Sequence, residues 1–506
     1  MSVSSLLRTY NGKAVPRDAV PRLSLEAFRG VVIGAKERGA RIAALFGTAA
    51  AGDVDLFVVL AVDDEGCLEL CSTRLEGDSY PAMTPECPEA HLFERELAEQ
   101  WGIQPVGHPW LKPVRFAPPR RVGADPFGWG KTVPMVGVTE FYRVEGEEIH
   151  EVAVGPVHAG VIEPGHFRFQ CYGEQVLHLE ISLGYQHRGV ERVLIGGPNT
   201  RSIHYAETLA GDSTIGHATA YCQMLEALSG CAVPARAQAI RGVALELERL
   251  ANHTGDLGAL ADDVGYLPTA SYCGRLRGDF LNLTAELCGS RFGRSLVRPG
   301  GVGFDIDADR AGRMHQKLTA AVQGVADAAA LLWRTASVQA RFEDTGQLTG
   351  EVAEQLGMVG PAARASGVSR DVRRDHPAGI FRFKQIPVPV LLSGDVLARA
   401  QIRNLEIERS AVFIKEQLAS LPSGETRSLV SPLAPMRVCV SLVEGWRGEL
   451  CHVALTDESG RFQSYKVVDP SFHNWTGLAI ALRDQQISDF PLCNKSFNLS
   501  YCGHDL

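Results

Sequence analysis

The sequence predicts an α+β fold, with a small N-terminal α/β domain followed by a large, mainly helical domain that opens with a β-hairpin. Two observations lead to this prediction. Apolar runs of strand length occur early in the chain, and long amphipathic helical patterns fill the later part. The chain has 506 residues, 45% hydrophobic and 22% charged, which is the composition of a folded protein with more than one domain.

The N-terminal domain is predicted from one helical pattern and two strands. Leu25, Phe28, Val32 and Ala35 recur at helical spacing. A strand is predicted at 54–62, and a second one at 67–72 follows the turn "DDEG". The next segment, "APPRRVGADPFGWGKTVPM", is rich in Pro, Gly and Arg, and it predicts a linker or an extended arm.

The larger domain begins with the segments "HFRFQCYG" and "EQVLHLEISLG", whose junction at Gly173–Glu174 favours a hairpin turn. In the following segment, "ARAQAIRGVALELERLANHTGDLGAL", Ile240 and Val243 lie on one helical face. Glu246 and Arg249 lie on other faces, as in an amphipathic helix. Further helices are predicted at 309–334 and 398–418, and a strand pair is predicted around "ESGR".

Composition excludes several classes of protein. The formal charge of −9 argues against a nucleic-acid-binding protein. No apolar run reaches the ~18–20 residues that span a bilayer, and the N-terminus lacks a signal-peptide pattern. Any membrane attachment is therefore expected through partner subunits. The 12 cysteines contain no CxxC pair, which excludes common zinc-ribbon and ferredoxin spacings and predicts reduced, mostly buried thiols.

Two glycine-containing motifs do not predict a nucleotide site. The segment "GWGKT", 128–132, resembles part of a phosphate-binding loop, but Asp125 stands where that motif requires its first glycine. The segment "GGVGFD", 300–305, lacks the third glycine of the dinucleotide fingerprint. We therefore expect no NADH on this chain.

Longer segments resemble a known family. The segment "ERELAEQWGIQPVGHPWLKPVRF" closely resembles the signature of the 30-kDa subunit of respiratory complex I and its counterpart in membrane-bound hydrogenases. The segments "GPVHAGVIEPGHFRF", "LGYQHRGVERVL", "PARAQAIRGVALELERLANH", "RPGGVGFDID", "GPAARASGVSRDVRRDHP" and "FPLCNKSFNLSYCGHDL" resemble the complex I 49-kDa subunit and the large subunit of group 4 nickel–iron hydrogenases. The resemblance implies a docking domain at 1–116, a linker at 117–151 and a domain at 152–506 that corresponds to the large subunit. A fusion of the two modules resembles the hydrogenase-related branch.

The resemblance also implies the positions of metal ligands. Nickel–iron enzymes of this family hold their metals with four thiolates from two CxxC pairs. In this chain the early pair falls on Ala210 and Ser213, and the late pair falls near Leu499 and Cys502. A methyl group cannot ligate a metal, and a hydroxyl is a hard donor. One thiol in four positions predicts that no nickel–iron centre is bound.

A quinone pocket is the second chemistry that the resemblance implies. In complex I it uses a tyrosine, a loop histidine and a supporting aspartate. Here the tyrosine position falls on Gly211, the histidine is His158 or His166, and the aspartate is Asp263. The glycine argues against quinone reduction, which nevertheless stays an alternative.

Several titratable residues are candidates for proton transfer. Glu163 lies at or next to the place of the glutamate that relays protons in hydrogenases. His253, Asp256 and Asp263 can line one helix face. The supporting candidates are His187, Arg188, Glu191, Asp212 and His217. Such a set either transfers protons or forms ion pairs that fix helices, and the sequence leaves both open. For the charged stretch at 371–376 we predict a solvated or interface-facing surface.

The predicted function is that of a large subunit in a membrane-associated redox complex, held at the cytoplasmic side of the cell membrane by its partners. The expected partners are a small iron–sulfur subunit and complex I-like and antiporter-like membrane subunits, and no cofactor is expected on this chain. Electron transfer would be coupled to proton or ion movement. The alternatives are a quinone-reducing subunit of the NADH dehydrogenase kind, a non-catalytic coupling scaffold and an active nickel–iron hydrogenase.

Overall fold

The computed structural model describes residues 6–50, 52–130, 135–158 and 162–506. Its mixture of sheets and long helices confirms the predicted α+β class. Within these ranges, no helix combines the length and the apolar character needed to cross a bilayer.

The N-terminal part contains a five-stranded sheet and two helices. Its elements are β1 (Leu7–Thr9), β2 (Val15–Pro16), β3 (Arg22–Leu23), α1 (Leu25–Ile33), β4 (Ala40–Ala50), β5 (Asp53–Val62), β6 (Cys67–Leu75), β7 (Ser79–Pro81), α2 (His91–Trp101) and β8 (Gln104–Val106). The sheet runs in the order β1-β6-β5-β4, with β3 also paired to β6. The predicted helix and both predicted strands are confirmed. Every residue of β5 after Asp53 is buried, as in a strand covered on both faces.

A three-stranded antiparallel sheet opens the larger part of the chain, and helices follow it. These elements are β9 (Ile149–Val154), β10 (His166–Tyr172), β11 (Gln175–Ser182), α3 (Val190–Leu194), α4 (Ser202–Glu207), α5 (Thr214–Ser229), α6 (Ala235–Asp263), α7 (Leu267–Cys288), β12 (Val297–Arg298), β13 (Gly301–Val302), α8 (Ala308–Arg334), α9 (Ala336–Phe342), α10 (Gly350–Gln355), α11 (Gly360–Ala365), α12 (Val372–Asp375) and α13 (Val396–Ala419). The predicted hairpin is the β10–β11 pair, and the three predicted helices correspond to α6, α8 and α13. With 29 residues, α6 extends about 44 Å.

The last part of the chain returns to a sheet and ends in helices. These elements are β14 (Arg437–Gly445), β15 (Gly448–Thr456), β16 (Phe462–Val468), α14 (Pro470–Ala481), α15 (Phe490–Phe497) and α16 (Tyr501–Asp505). The β15–β16 pair confirms the strands predicted around "ESGR". This sheet runs in the order β16-β15-β14-β2, so an N-terminal segment supplies one of its strands.

The two predicted domains share a hydrophobic core. Phe28 and Leu56 from the N-terminal part lie in the same buried cluster as Val440 and Val453 from β14 and β15. The domain boundaries stay a prediction. The shared core nevertheless fixes the N-terminal sheet against the strands that precede the C-terminal helices.

Candidate functional site

The candidate site lies where the turn before α5 meets the C-terminal helix α16. Arg188 links these two segments through its guanidinium group. Its Nη1 donates to the carbonyl oxygen of Thr208 at 2.6 Å, and its Nη2 donates to the carbonyl oxygens of Leu209 at 2.9 Å and Cys502 at 3.1 Å. The two segments that the resemblance assigns to metal ligands are therefore neighbours in space.

The other residues in and just before the "QHRGVE" loop contact two different elements, α16 and β16. The His187 Nδ1 atom lies 2.7 Å from the Asp505 carbonyl oxygen, and the backbone N–H of Gly184 donates to the Asp505 carboxylate at 2.8 Å. Both contacts hold α16 in place. Glu191 instead forms an ion pair with Lys466 of β16 at 3.2 Å. Of the three residues predicted from this loop, His187 and Arg188 contact α16, and Glu191 points to the neighbouring sheet.

Cys502 is the one thiol among the four expected ligand positions. The Glu163 carboxylate accepts backbone N–H groups from Cys502 at 3.2 Å and Tyr501 at 3.3 Å. The Cys502 sulfur lies 3.4 Å from the Ser500 hydroxyl. Burial, followed by the nearby Glu163 carboxylate, raises the pKa of the Cys502 thiol to about 12. At neutral pH this sulfur is a protonated thiol, which is a poor nucleophile and a poor metal ligand.

The other three positions carry no thiol. Ala210 is fully buried, and the Leu499 side chain is buried as well. Ser213 is the N-cap residue of α5, although its side chain makes no capping hydrogen bond. These side chains do not supply the sulfur donors of a nickel–iron pair. Across the described parts of the chain, no group of three or more His, Cys, Asp and Glu is arranged to hold a metal ion.

A bidentate ion pair joins Asp212, in the turn before α5, to Arg447, between β14 and β15. The two N–O distances are 2.6 and 2.8 Å. The Trp446 indole N–H donates to the Asp212 carbonyl oxygen at 2.9 Å, and the Arg447 guanidinium lies 3.9 Å from the Trp446 ring centre. Burial disfavours the charge of Arg447, but Asp212 more than offsets this and raises the Arg447 pKa above its ordinary value. The site therefore contains a permanent cation.

Behind this pair, a row of buried hydrogen bonds leads from the site into the core. His217 Nε2 lies 3.3 Å from an Asp469 carboxylate oxygen, and His217 Nδ1 lies 3.0 Å from His452 Nε2. The His452 Nδ1 atom lies 2.8 Å from the Tyr465 hydroxyl. Burial, followed by the neighbouring His217, lowers the pKa of His452. A Cβ atom on Gly503 would lie 2.6 Å from Asp469, so the row ends against α16. Such a row can transfer or store a proton beside Cys502.

Glu248 is a second carboxyl group at the start of α5. It lies on α6 and accepts the backbone N–H groups of Ile215 at 2.7 Å and Gly216 at 3.2 Å. Burial raises the pKa of Glu248 to about 8, although the two backbone donors act in the opposite direction. No sequence pattern selects Glu248, because its contact depends on how α6 packs under α5.

The two candidate loop histidines are bound to the backbone of their own loop. His158 Nε2 lies 2.9 Å from the carbonyl oxygen of Gly165. His166 Nδ1 lies 3.2 Å from the carbonyl oxygen of Gly155. Residues 159–161 of this loop lie outside the described residues. Each histidine has a second ring nitrogen that does not contact this backbone. In His166, that nitrogen, Nε2, accepts a hydrogen bond from Arg168 at 3.2 Å.

The remaining quinone-pocket candidates, Gly211 and Asp263, form no direct bond to these histidines among the described residues. Gly211 is exposed in the turn before α5. Asp263 is exposed at the end of α6, where partial burial raises the pKa of its carboxyl and Lys495 opposes this effect. Across the described residues, no hydrogen bond or ion pair joins Asp263 to His158 or His166. The quinone-pocket assignment therefore stays a prediction.

Charged residues of α6 and of the stretch 371–376 are buried together. We call this group the core ion cluster, and its members are Glu246, Arg249, Arg364, Asp371, Arg373, Glu406 and Glu444. Arg364 forms ion pairs with Glu406 at 2.7 Å and Glu444 at 2.9 Å, and Arg373 pairs with Glu246 at 3.0 Å. The prediction of a solvated or interface-facing stretch at 371–376 was wrong for Asp371, Arg373 and His376, which are buried because oppositely charged groups surround them.

His253 and Asp256 connect the core ion cluster to a groove. His253 Nε2 lies 2.8 Å from Glu406, and His253 Nδ1 lies 4.0 Å from the Asp256 carboxylate. Asp256 also pairs with Arg403 at 2.6 Å. Asp256 and Asp212 both line a groove of about 510 Å³ between α6 and α7. Along the predicted common face of α6, His253 is therefore buried and Asp263 is exposed.

The segment that resembles a phosphate loop has its own internal bonding. The Asp125 carboxylate accepts the backbone N–H groups of Trp129 and Gly130, each at 2.7 Å. Lys131 and Thr132 lie outside the described residues. These two backbone donors are occupied by the same aspartate that breaks the motif.

Comparison with known proteins identifies the family. The family described as "Respiratory-chain NADH dehydrogenase, 49 Kd subunit" matches residues 263–436. An NADH-quinone oxidoreductase subunit of Clostridium beijerinckii is 31% identical over 322 residues, which are 63% of this chain and 87% of that protein. The chain belongs to the 49-kDa subunit family.

Hydrogenase components are also similar to this member of the 49-kDa family. Formate hydrogenlyase subunit 5 of Escherichia coli K12 is 29% identical over 475 residues, covering 89% of this chain and 81% of that protein. The carbon monoxide-induced hydrogenase of Rhodospirillum rubrum is 29% identical over 350 residues, covering 69% of this chain and 97% of that protein. The first match is longer than residues 152–506 and therefore includes N-terminal sequence. The predicted resemblance to both complex I and hydrogenases is confirmed.

Proposed function

We propose that this chain is the large subunit of a membrane-associated redox complex that couples electron transfer to proton or ion movement without a nickel–iron centre of its own. The observation that carries the proposal is the composition of the group of side chains around Cys502. We call this group the pocket beside Cys502 and define it by Glu163, Asp212, Arg447, Asp469 and Cys502. Three of the four expected thiolates are absent there. Glu163, Asp212 and Asp469 bring carboxyl groups to the same pocket.

The buried groups in this pocket fit proton uptake that accompanies electron arrival. An electron that reaches an acceptor in the pocket adds negative charge where water is scarce, and proton uptake offsets that charge. Arg447 provides a fixed positive charge beside Asp212. The row from Asp469 through His217 to His452 supplies groups that can release or accept the proton. Quinone is a candidate electron acceptor that Gly211 disfavours.

The partners belong to the proposal as well. The similar proteins are named as components of a formate hydrogenlyase, hydrogenases and NADH-quinone oxidoreductases. We expect a small iron–sulfur subunit to face the pocket and to deliver electrons. Complex I-like and antiporter-like membrane subunits would hold this chain peripherally at the cytoplasmic side of the cell membrane.

Metal analysis of the purified complex tests the absence of nickel. Cells are grown with added nickel, and nickel and iron are measured per chain in the intact complex. We expect nickel far below one atom per chain, while iron from the partner's clusters is present. Nickel near one atom per chain would contradict the proposal and would favour the hydrogenase alternative.

Paired variants test the coupling role. Glu163→Gln and Asp469→Asn should reduce proton movement per electron in vesicles that contain the complex, and the control Asp279→Asn changes a surface residue of α7. Since the proposal makes proton uptake accompany electron arrival, it also expects Glu163→Gln and Asp469→Asn to slow electron transfer. Unchanged electron transfer with reduced ion movement would instead favour the scaffold alternative. If Asp263→Asn and His166→Ala abolish reduction of an added quinone, the quinone alternative is favoured.

A further inference from the structure

A cavity whose lining includes His504 of α16 but not Cys502 has the features of a small-molecule site. We call it the aromatic cavity. Its volume is about 350 Å³, and it lies between α2, β11 and α14 and under the segments 109–116 and 139–142. This volume is at the lower end of the range for ligand pockets, roughly 300–1,000 Å³. The cavity suits a ligand of one or two rings.

Aromatic side chains form one wall of the aromatic cavity. The Tyr142 ring lies 4.8 Å from the His178 ring and 5.9 Å from the Trp110 ring, measured between ring centres. Leu179 and Ile480 are among the apolar residues that line the cavity. Flat ligands pack well against such rings, because offset or edge-on contacts between aromatic groups are favourable.

The acid in the cavity wall, Glu180, is bound by three protein donors. It accepts the Trp110 indole N–H at 3.2 Å and the Tyr142 backbone N–H at 2.8 Å, and it forms an ion pair with Lys112. Glu180 therefore neutralises Lys112 and holds the aromatic wall in place. It forms neither a hydrogen bond nor an ion pair with Arg95 or Arg483, although its charge opposes the effect of burial on the Arg95 pKa.

Two arginines of the aromatic cavity, Arg95 and Arg483, form no ion pair with a described residue. Arg95 donates from Nε and Nη2 to the carbonyl oxygens of Lys112 at 2.9 Å and Pro113 at 2.8 Å, and its Nη1 has no acceptor within the same ranges. Arg483 is exposed at the end of α14 and forms neither a side-chain hydrogen bond nor an ion pair with any described residue. Burial lowers the pKa of Arg95 to about 10, which keeps it charged at neutral pH.

The geometry points to a planar aromatic carboxylate of one or two rings as the ligand of the aromatic cavity. The rings of Tyr142, His178 and Trp110 would contact the ligand's ring, and Arg95 and Arg483 would bind its carboxylate. Guanidinium groups match carboxylates in shape as well as in charge.

Calorimetry on the purified complex can test this site with 2-naphthoate as the probe. We expect one molecule to bind per chain, and we expect 2-naphthamide and 1,4-naphthoquinone, which lack the charge, to bind roughly tenfold more weakly. Arg483→Gln should weaken 2-naphthoate binding by roughly tenfold and leave 2-naphthamide binding unchanged. The matched control is Arg334→Gln, at an exposed arginine of α8 that forms no ion pair with a described residue and lies outside this cavity.

A second variant separates the ring contact from the charge contact. Trp110→Ala should weaken the binding of naphthoate and naphthamide to the same extent, since both ligands present the same rings. The inference is overturned if naphthoate does not bind at millimolar concentration, if the neutral ligands bind as tightly as naphthoate, or if Arg483→Gln and Arg334→Gln behave alike. It is also overturned if inorganic phosphate displaces naphthoate at equal concentration, because that would indicate a general anion site.

Discussion

The core ion cluster contains buried acids and the pocket beside Cys502 contains a half-buried one, Glu163, and the two regions neutralise these acids differently. In the core ion cluster, each acid lies within ion-pair distance of an arginine. Glu406, for example, contacts Arg364, Arg249 and His253. In the pocket, the Glu163 oxygens accept backbone N–H groups, and no ion pair to Glu163 occurs within the described residues.

This difference separates a structural role from a chemical one. In the core ion cluster, arginines more than offset burial and lower the pKa values of Glu406 and Glu246, so these acids stay ionised. Glu444 is the exception, because burial and then Asp371 raise its pKa to about 7. A buried carboxyl or thiol without an opposite charge has a shifted pKa, and its proton can be exchanged near neutral pH or above it. Glu248 and Cys502 are of this second kind, with pKa values raised by burial to about 8 and about 12.

The largest expected effect is the loss of stability on breaking the core ion cluster. Arg364→Met removes ion pairs to Glu406 and Glu444 and leaves buried negative charge uncompensated. We expect the free energy of unfolding to fall by about 3–5 kcal/mol, as measured by urea denaturation.

The control for this prediction is a surface pair on α7. Arg275→Met removes the ion pair with Asp279 at 2.8 Å and should cost about 0.5 kcal/mol or less. If the two variants lose similar amounts of stability, the core ion cluster does not stabilise the fold, and the distinction between the two regions fails.

An intermediate effect is expected from Glu248, through the pH dependence of stability. Its pKa is about 8 in the folded chain against an ordinary value of 4.5, so the folded state binds an extra proton between these values. The contribution is therefore fully present below pH 4.5 and is lost as the pH rises through 8. Stability should fall by about 1.4 kcal/mol per pH unit in that window, and Glu248→Gln should remove this slope.

Unfolding measured at pH 5, 6, 7 and 8 for both proteins gives the comparison. Glu408→Gln is the control, because Glu408 is an exposed residue of α13. Parallel curves for wild type and Glu248→Gln would mean that Glu248 is already ionised in the folded chain.

The sequence predicts local elements better than it predicts the site. The β10–β11 hairpin, α6, α8 and α13 follow from apolar spacing and turn residues, which act over short distances. The pairing of the Ala210 turn with Cys502 followed from family resemblance. Arg447, Asp469 and His452 were missed because they come from strands and helix starts more than 200 residues after α5.

Helical periodicity also misplaced the charged residues of α6. An amphipathic pattern assigns Glu246 and Arg249 to polar faces, yet both are fully buried. The partners that make burial tolerable, Arg373 and Glu406, lie on other helices, and no spacing within α6 reveals them. Long-range pairing of charges is thus the information that a single sequence does not contain.

The smallest effect is expected on the pKa of the Cys502 thiol. It tests most directly how Glu163 acts in the pocket beside Cys502. Glu163→Gln removes the negative charge that, after burial, raises the thiol pKa to about 12. The pKa should fall but stay above the ordinary value of 9.0, because burial is unchanged. The pH dependence of Cys502 alkylation by iodoacetamide, followed by mass spectrometry, measures this shift.

Cys231 is the internal control. Its pKa is raised by burial and then by Glu226, and this pKa should be the same in Glu163→Gln as in the wild type. If the Cys502 profile is unchanged, Glu163 is not ionised beside the thiol, and it cannot be the charged end of a proton path in this pocket.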